Sequence, residues 1–415
     1  MSSINRRSFF RTATGALAFA SSYSVLKGVG LADTAPIRIA NILDKTGVVN
    51  IYALKAITAC AMAVDEINAA GGLLGRQLEL LFYDSQSTPE LASQYATQAL
   101  VRDKANVITG TITSPQREVV RTVVNRFGSL FLSNHLYEGG VCDRRHVCVG
   151  MVPAQQLEVL VPYVVQELGG KRVYIVGADY SYGHLTSSWV RKYVRDSGGE
   201  DIALEYFPFD VTNFAPVIAR IQKEKPDAVF SVLVGSAHIS FYRQFHAAMG
   251  GSGVILASTT YGLGRDQLEL TPAEGQGIII ATSFVDDLPA PAAQGFVQRF
   301  RKFSGESDAI SEYGEYGYRG VMLWAEAVKR AGSVEPDAVI EKLGGTTYNG
   351  AGGLYTIDPQ THHTTMDVHI ARQGGDRAFE IVRSLPQRPP VDTQRVCNLI
   401  ENPNDTTQYK IEVKL

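Results

Sequence analysis

The segment Gly110-Thr111-Ile112-Thr113-Ser114-Pro115 concentrates residue types that can grip an oxygen. It follows the apolar run Val107 to Thr109, and a serine directly ahead of a proline is a strong helix start, with Ser114 at the N-cap and Pro115 at the first helical position. The free N–H groups of that first turn, with the hydroxyls of Thr113 and Ser114, can hold a carboxylate or carbonyl oxygen. Capping alone accounts for the same residues, and ligand contact in addition to it stays open.

Other motifs carry less. Asp196-Ser197-Gly198-Gly199 has the letters of a serine-protease segment, but its glycines directly follow a helix and read as a C-terminal cap. Gly169-Gly170-Lys171 lacks the upstream glycine and the hydroxyl residue of a phosphate loop, and Gly262-Leu263-Gly264 reads as a turn. His362 and His363, with Asp367 and His369 nearby, are the best metal-ligating group, yet they lack a helical HExxH spacing and alternate like strand and turn residues. No metal and no cofactor are expected.

The elements that must position Ser114 alternate regularly. A strand over Ile37 to Leu43 passes through Asp44-Lys45-Thr46-Gly47 into a helix from Tyr52 to Ala70. Strand 78–83, helix 89–104, strand 107–109, helix 114–127 and strand 129–133 follow. After Val152-Pro153 the pattern restarts: helix 154–168, strand 172–177, helix 184–197, strand 202–207, helix 214–225, strand 228–233, helix 237–249 and strand 254–258. Strand 277–283, helices near 292–303 and 315–331, and strands 352–357 and 366–371 come later, and the tail beyond Pro386 reads as irregular. The fold class is therefore α/β, with two doubly wound parallel sheets in series; ligands of such sheets bind where the C-terminal strand ends meet.

At 415 residues the chain has room for two or three domains, and its 20% charged and 45% hydrophobic content is that of an ordinary globular protein. The 39 basic and 42 acidic residues give a net charge of −3, with no dense basic run in the body, so no nucleic-acid partner is expected. Residues 1–32 contain Arg6, Arg7, Arg11 and Lys27 but no acid; without them 35 basic residues stand against 42 acidic, a net −7. Paired arginines, Ser8-Phe9-Phe10, a small apolar stretch and Gly30-Leu31-Ala32 resemble a twin-arginine export signal cleaved after about Ala32, with a general secretory signal as the alternative. The apolar stretch is too short to span a bilayer, so a periplasmic protein that does not cross the membrane is expected. Cys142 and Cys148 flank a short polar stretch and can close a small disulfide loop, while Cys60 and Cys397 read as buried thiols.

Tyr137-Glu138-Gly139-Gly140, Asp179-Tyr180-Ser181-Tyr182-Gly183 and the stretch from Leu233-Val234-Gly235-Ser236 to Phe241-Tyr242-Arg243-Gln244 carry a resemblance, as does Asn68-Ala69-Ala70-Gly71-Gly72-Leu73-Leu74-Gly75-Arg76. With them the sequence resembles, over nearly the whole mature chain, the type I periplasmic solute-binding proteins of ABC transporters. The nearest subgroup is that of the branched-chain amino-acid, urea and short-chain amide receptors. The resemblance implies two lobes joined by three crossovers that close on a solute: residues 36–150 with 283–342, residues 151–282 with 343–395, and a tail from 396 to 415. It implies delivery to an ABC permease in the inner membrane. It also implies ligand contacts from Thr113, Ser114, Ser133, Asn134, His135 and Leu136 in the first lobe, and from Tyr180, Tyr182, Gly235, Ser236 and Thr260 in the second. Tyrosine suits an enclosed neutral solute because it joins a flat apolar face to a polar tip.

The departures bear on the solute. Amide and urea receptors usually have an aromatic two positions before the gripping serine and a Tyr-Pro pair ahead of the YEG segment; this chain has Ile112 and Ser133-Asn134. That opens the choice to a larger amide, an amino acid or an organic acid. Asp179 can pair an ammonium group if it faces the cleft, or else serve in capping. An importer's receptor acting by hinge closure leads, a ligand sensor regulating amide or amino-acid uptake or degradation is the alternative, and a hydrolase using Ser114 and His135 lacks any nucleophile motif.

Overall fold

The computed structural model describes residues 35–307 and 309–415. The export segment read in residues 1–32 lies outside the described residues.

Apolar runs, buried on both faces except in the edge strand β2, make the first sheet, in which all strands are parallel in the order β2-β1-β3-β4-β6. Its strands are β1 (Ile37–Leu43), β2 (Leu78–Asp84), β3 (Val107–Gly110), β4 (Phe131–Ser133) and β6 (His146–Cys148), with β5 (Val141–Asp143) standing apart. The crossovers are α1 (Asn50–Ala69), α2 (Pro89–Val101) and α3 (Ser114–Phe127).

The chain then enters a second sheet through α4 (Pro153–Pro162), which continues as a wider-wound turn to Glu167. There β7 (Arg172–Ala178), α5 (Ser181–Asp196), β8 (Glu200–Phe207), α6 (Ala215–Glu224), β9 (Ala228–Val232), α7 (Ser236–Met249) and β10 (Ile255–Ser258) follow in turn. Short helices α8 (Asp266–Glu269) and α9 (Pro272–Gly275) lead to β11 (Ile279–Thr282). The strands from β11 through β10, β9 and β7 to β8 run parallel.

After β11 the chain returns to supply α10 (Pro291–Ser304), α11 (Glu312–Ala331) and α12 (Pro336–Leu343), and α11 packs along α1. The approach is close: a β-carbon on Gly317 would fall 2.7 Å from the Ala56 carbonyl oxygen. A third passage carries β12 (Thr347–Gly350), β13 (Gly353–Ile357), β14 (Thr364–Gln373) and β15 (Phe379–Arg388) onto the second sheet, where β14 pairs antiparallel with β11. The second sheet is thus parallel at its centre and antiparallel at one side, a departure from the purely parallel expectation.

The tail is more ordered than its composition suggests. Beyond β15 come α13 (Val391–Gln394) and β16 (Thr406–Gln408), and β16 pairs antiparallel with β5. Cys142 is bonded to Cys397, not to Cys148, which is a buried free thiol like Cys60. Cys142 and Cys148 lie on different strands, β5 and β6, and the tail brings Cys397 to 5.2 Å from Cys142, Cα to Cα. The glycine pair after Glu138 serves the same tail: Gly140 has φ +93°, and a β-carbon there would sit 2.1 Å from the Tyr409 carbonyl oxygen.

Candidate ligand-binding cleft

The ends of the parallel strands meet around one enclosed space, as doubly wound sheets favour. From the first sheet's side come Tyr52 at the start of α1, Ile112 and Ser114 after β3, and Leu136 after β4. From the second come Tyr180 and Tyr182 after β7, Val234 after β9, and Thr260 and Leu263 after β10; Tyr313 of α11 completes the lining. The walls nearly touch, leaving about 10 Å³, the room of about one water.

A strained turn aims the first of these groups. Gly110 has φ +125°, where a β-carbon would strike the Ile42 carbonyl oxygen at 2.2 Å. Thr111 follows with φ +61°, held by its N–H donating to the Ile42 carbonyl at 2.7 Å. A β-branched residue in the left-handed region costs about 1–3 kcal/mol, a cost typical of functional turns. The cap also differs from expectation. Thr113, not Ser114, is the N-cap: its hydroxyl accepts from the Gln116 N–H, while Gln116 Oε1 accepts from the Thr113 N–H at 3.0 Å. Relieved of capping, the Ser114 hydroxyl donates to Glu138 Oε2 at 2.7 Å.

Glu138 is itself buried and takes a bond from Arg117 Nη2 at 3.1 Å. The Arg117 guanidinium stacks 4.3 Å from the Tyr137 ring centre. On the opposite wall the Tyr182 hydroxyl donates to Thr259 Oγ1 at 3.0 Å, and the Thr260 hydroxyl donates to the Leu233 carbonyl at 2.6 Å. Tyr52 crosses between the walls: its hydroxyl accepts the Gly235 N–H at 3.0 Å and lies 3.4 Å from His238 Nδ1. Burial drives His238 down to about 3, so it is neutral, and burial lifts the Tyr52, Tyr182 and Tyr313 hydroxyls above the usual phenol range, so they stay protonated.

Of the residues expected from the sequence, Ser114, Leu136, Tyr180, Tyr182 and Thr260 come together on this lining. The others stand off it. Thr113 is the cap, and Ser133 is buried at the end of β4. Asn134 donates to Thr109 Oγ1 at 2.6 Å, and His135 Nδ1 lies 3.4 Å from Thr111 Oγ1, so both are held by the strand beneath instead of adding donors to the cavity. Gly235 meets Tyr52, and Ser236 lines a separate groove at the start of α1 and α7. Asp179 is exposed and sits 2.8 Å from His184 Nε2, not in the cleft.

Tyr52, Val234, Leu263 and Tyr313 were not legible as lining residues. Tyr52 carried a usable signal, since it opens a helix directly after a parallel strand; Tyr313 arrives on a helix far along the chain. The histidines are dispersed in function: His362 Nδ1 meets the Arg144 carbonyl at 3.0 Å, His363 bonds the Tyr137 hydroxyl, and His369 Nδ1 meets Ser384 Oγ at 2.8 Å.

Two α/β sheets, crossed three times by the chain and closing on an enclosed lining of rings and hydroxyls, define a solute-binding protein. A family model described as periplasmic binding protein matches residues 36–378, and the chain belongs to that family. As a member of that family it is a binding protein. It is 22% identical over 349 residues to a leucine-, isoleucine-, valine-, threonine- and alanine-binding protein of Pseudomonas aeruginosa, covering 83% of this chain and 89% of that protein. In fold it is similar to a solute-binding protein of an ABC transporter from Rhodopseudomonas palustris BisB5 solved with 3,4-dihydroxybenzoic acid. There the TM-score is 0.77 at 20% identity, covering 86% of this chain and 98% of that one. It is likewise similar to the branched-chain amino acid transporter substrate-binding protein LivJ from Streptococcus pneumoniae solved with isoleucine. That match has a TM-score of 0.74 at 19% identity and covers 86% of this chain and all (100%) of that one. Among the described residues no helix is long and apolar enough to cross a membrane.

Proposed function

We propose that this protein is an exported receptor that delivers to an inner-membrane permease a small solute with a hydrocarbon body and a single carboxylate or amide head. A twin-arginine signal over residues 1–32, cleaved after about Ala32, directs it to the periplasm. The lobes correspond to residues 36–150 with 283–342 and residues 151–282 with 343–395. The head lies at Ser114 and the first turn of α3, and the body lies between the tyrosine rings.

The observation that carries this reading is the lining itself: four tyrosines, four aliphatic residues and two hydroxyls, with no charged side chain. A free α-amino acid brings an ammonium as well as a carboxylate; the first-turn N–H groups of α3 can meet the carboxylate, but no side chain of the lining balances the ammonium, and a buried unpaired charge is costly. Urea lacks the apolar body that the rings favour. The acid nearest the head position, Glu138, is engaged by Ser114 and Arg117.

Melting temperature and titration calorimetry with benzoate, benzamide, 3-methylbutanoate, leucine and urea test this. Benzoate, benzamide or 3-methylbutanoate should stabilise the protein by mass action. Stabilisation by leucine or urea alone would overturn the reading.

A further inference from the structure

The carboxylate that holds Ser114 is itself held from the far end of the chain. Glu138 Oε2 accepts the Ser114 hydroxyl at 2.7 Å, and Glu138 Oε1 accepts from Arg117 Nη2 at 3.1 Å. The same Nη2 also donates to Gln408 Oε1 at 3.1 Å, from a residue 291 positions beyond Arg117. Arg117 is fully buried; its Nε donates to Glu118 Oε1 at 3.0 Å, and the guanidinium lies 4.3 Å from the Tyr137 ring centre. Glu118 therefore holds one edge, Tyr137 one face, and Glu138 with Gln408 the Nη2 end.

The Gln408 amide faces Arg117 only one way round. Its Nε2 donates to the Gly139 carbonyl at 2.9 Å and to the Tyr409 carbonyl at 3.3 Å. Turned over, it would set an NH2 group against the guanidinium and an oxygen against two carbonyls. The segment that carries it is tied down on both sides of this contact. Gln408 pairs with Val141 of β5, the Tyr409 N–H donates to the Gly140 carbonyl at 2.8 Å, and Cys397 is bonded to Cys142.

A serine hydroxyl has three staggered positions about χ1, and a bond to a fixed carboxylate selects one of them before a solute arrives. Its single proton is then committed to Glu138, and its lone pairs remain for a donor. A group ordered beforehand costs a ligand less to engage.

We propose that Gln408 is a positioning residue of the cleft: by holding Arg117 it holds Glu138, and through Glu138 it fixes the Ser114 hydroxyl as an acceptor for the solute's head. The C-terminal segment thus serves binding although none of its residues is on the cavity lining. This assignment rests on the reading of the central cavity given above and extends it.

A double-mutant cycle read by calorimetry with benzamide tests it, because that head both donates and accepts. Gln408→Met, which keeps the length of the side chain and removes the amide, should weaken benzamide binding about threefold. Gln408→Asn, which keeps the amide but withdraws it by one methylene, should do the same. In a Ser114→Ala background neither change should weaken binding further, whereas a general loosening of the fold would add its effect to that of Ser114→Ala. Thr407→Ala, one position away and exposed, should leave the affinity unaltered. Parental affinity in both Gln408 variants, additive losses in the cycle, or a loss on Thr407→Ala as large as that on Gln408→Met overturns the proposal. Binding of benzoate or 3-methylbutanoate without benzamide overturns it alone, since Ser114 would then have no donor to accept from. Binding of none of the three overturns the central-cavity reading as well.

Discussion

The Tyr52 hydroxyl, carried by the first helix of one sheet, accepts the backbone N–H of Gly235 at the head of a helix in the other, at 3.0 Å. The contact spans the cleft, so a parting of its walls would break it. Gly235 is suited to it: φ is +71°, and a β-carbon there would come 2.9 Å from the Val48 carbonyl oxygen. A bond made in the closed form and absent from an open one adds to the ligand's apparent affinity, because it shifts the conformational equilibrium.

Tyr52→Phe should therefore weaken ligand binding about fivefold, the equivalent of roughly 1 kcal/mol, with little change in melting temperature of the unliganded protein. Calorimetry with the tightest compound found in the screen is the check. An unchanged affinity would show that the bond does not contribute to closure.

Ser114→Ala removes the hydroxyl that bonds Glu138 at 2.7 Å and faces the cavity, and Tyr180→Ala removes a ring packed 4.9 Å from Phe209 and 5.9 Å from Tyr182. The serine change should cost about fivefold in affinity. The tyrosine change should cost roughly thirtyfold, on the scale of an aromatic anchor losing about 2 kcal/mol. Circular dichroism of both variants should match the parent. Unaltered affinity in both would remove the site assignment.

Cys142 and Cys397 are 255 positions apart, so their bond closes a long loop and pins the C-terminal segment against β5. Its loss should destabilise the protein by about 2–5 kcal/mol. Cys142→Ser with Cys397→Ser should lower the melting temperature and expose residues 396–415 to protease. Cys60 and Cys148 have thiols pushed up to about 12 by burial, so a thiol reagent should find no reactive thiolate in the native protein and two thiols after non-reducing denaturation.

His362 and His363 are each driven down to about 4 by burial, so the native state holds them neutral. The unfolded chain takes up their protons near pH 6.5, before the native state does, so stability is present above that pH and declines as pH falls toward about 4. His362→Gln keeps a donor for the Arg144 carbonyl and removes the titration. It should lessen the loss of unfolding free energy between pH 6.5 and 4, by up to about 3 kcal/mol at the acid end, leaving the share of His363 in place. An identical pH profile in the variant would exclude this histidine as a source of acid sensitivity.

Alternation of apolar strands with amphipathic helices was enough to read the two wound sheets, because parallel strands buried on both faces leave near-continuous hydrophobic runs, as in Arg172–Ala178 beyond its first residue. Helix starts were also legible, and with them Ser114, Tyr180 and Tyr182, since residues that open a helix after a parallel strand must stand at the sheet's C-terminal edge. The exchange of caps between Ser114 and Thr113 was not legible, because it depends on the strained Gly110-Thr111 turn packing against Ile42. Asn134 and His135 look like cleft donors in sequence, and only packing against Thr109 and Thr111 shows where their bonds go. The long-range partners were the least accessible. Tyr313 reaches the cavity by the packing of α11 on α1, Cys397 reaches Cys142 by the pairing of β16 with β5, and Gln408 reaches Arg117 along the same segment. Local pattern fixes which face of an element is apolar, but not which distant element will cover it, and that choice is made by the packing of the whole chain.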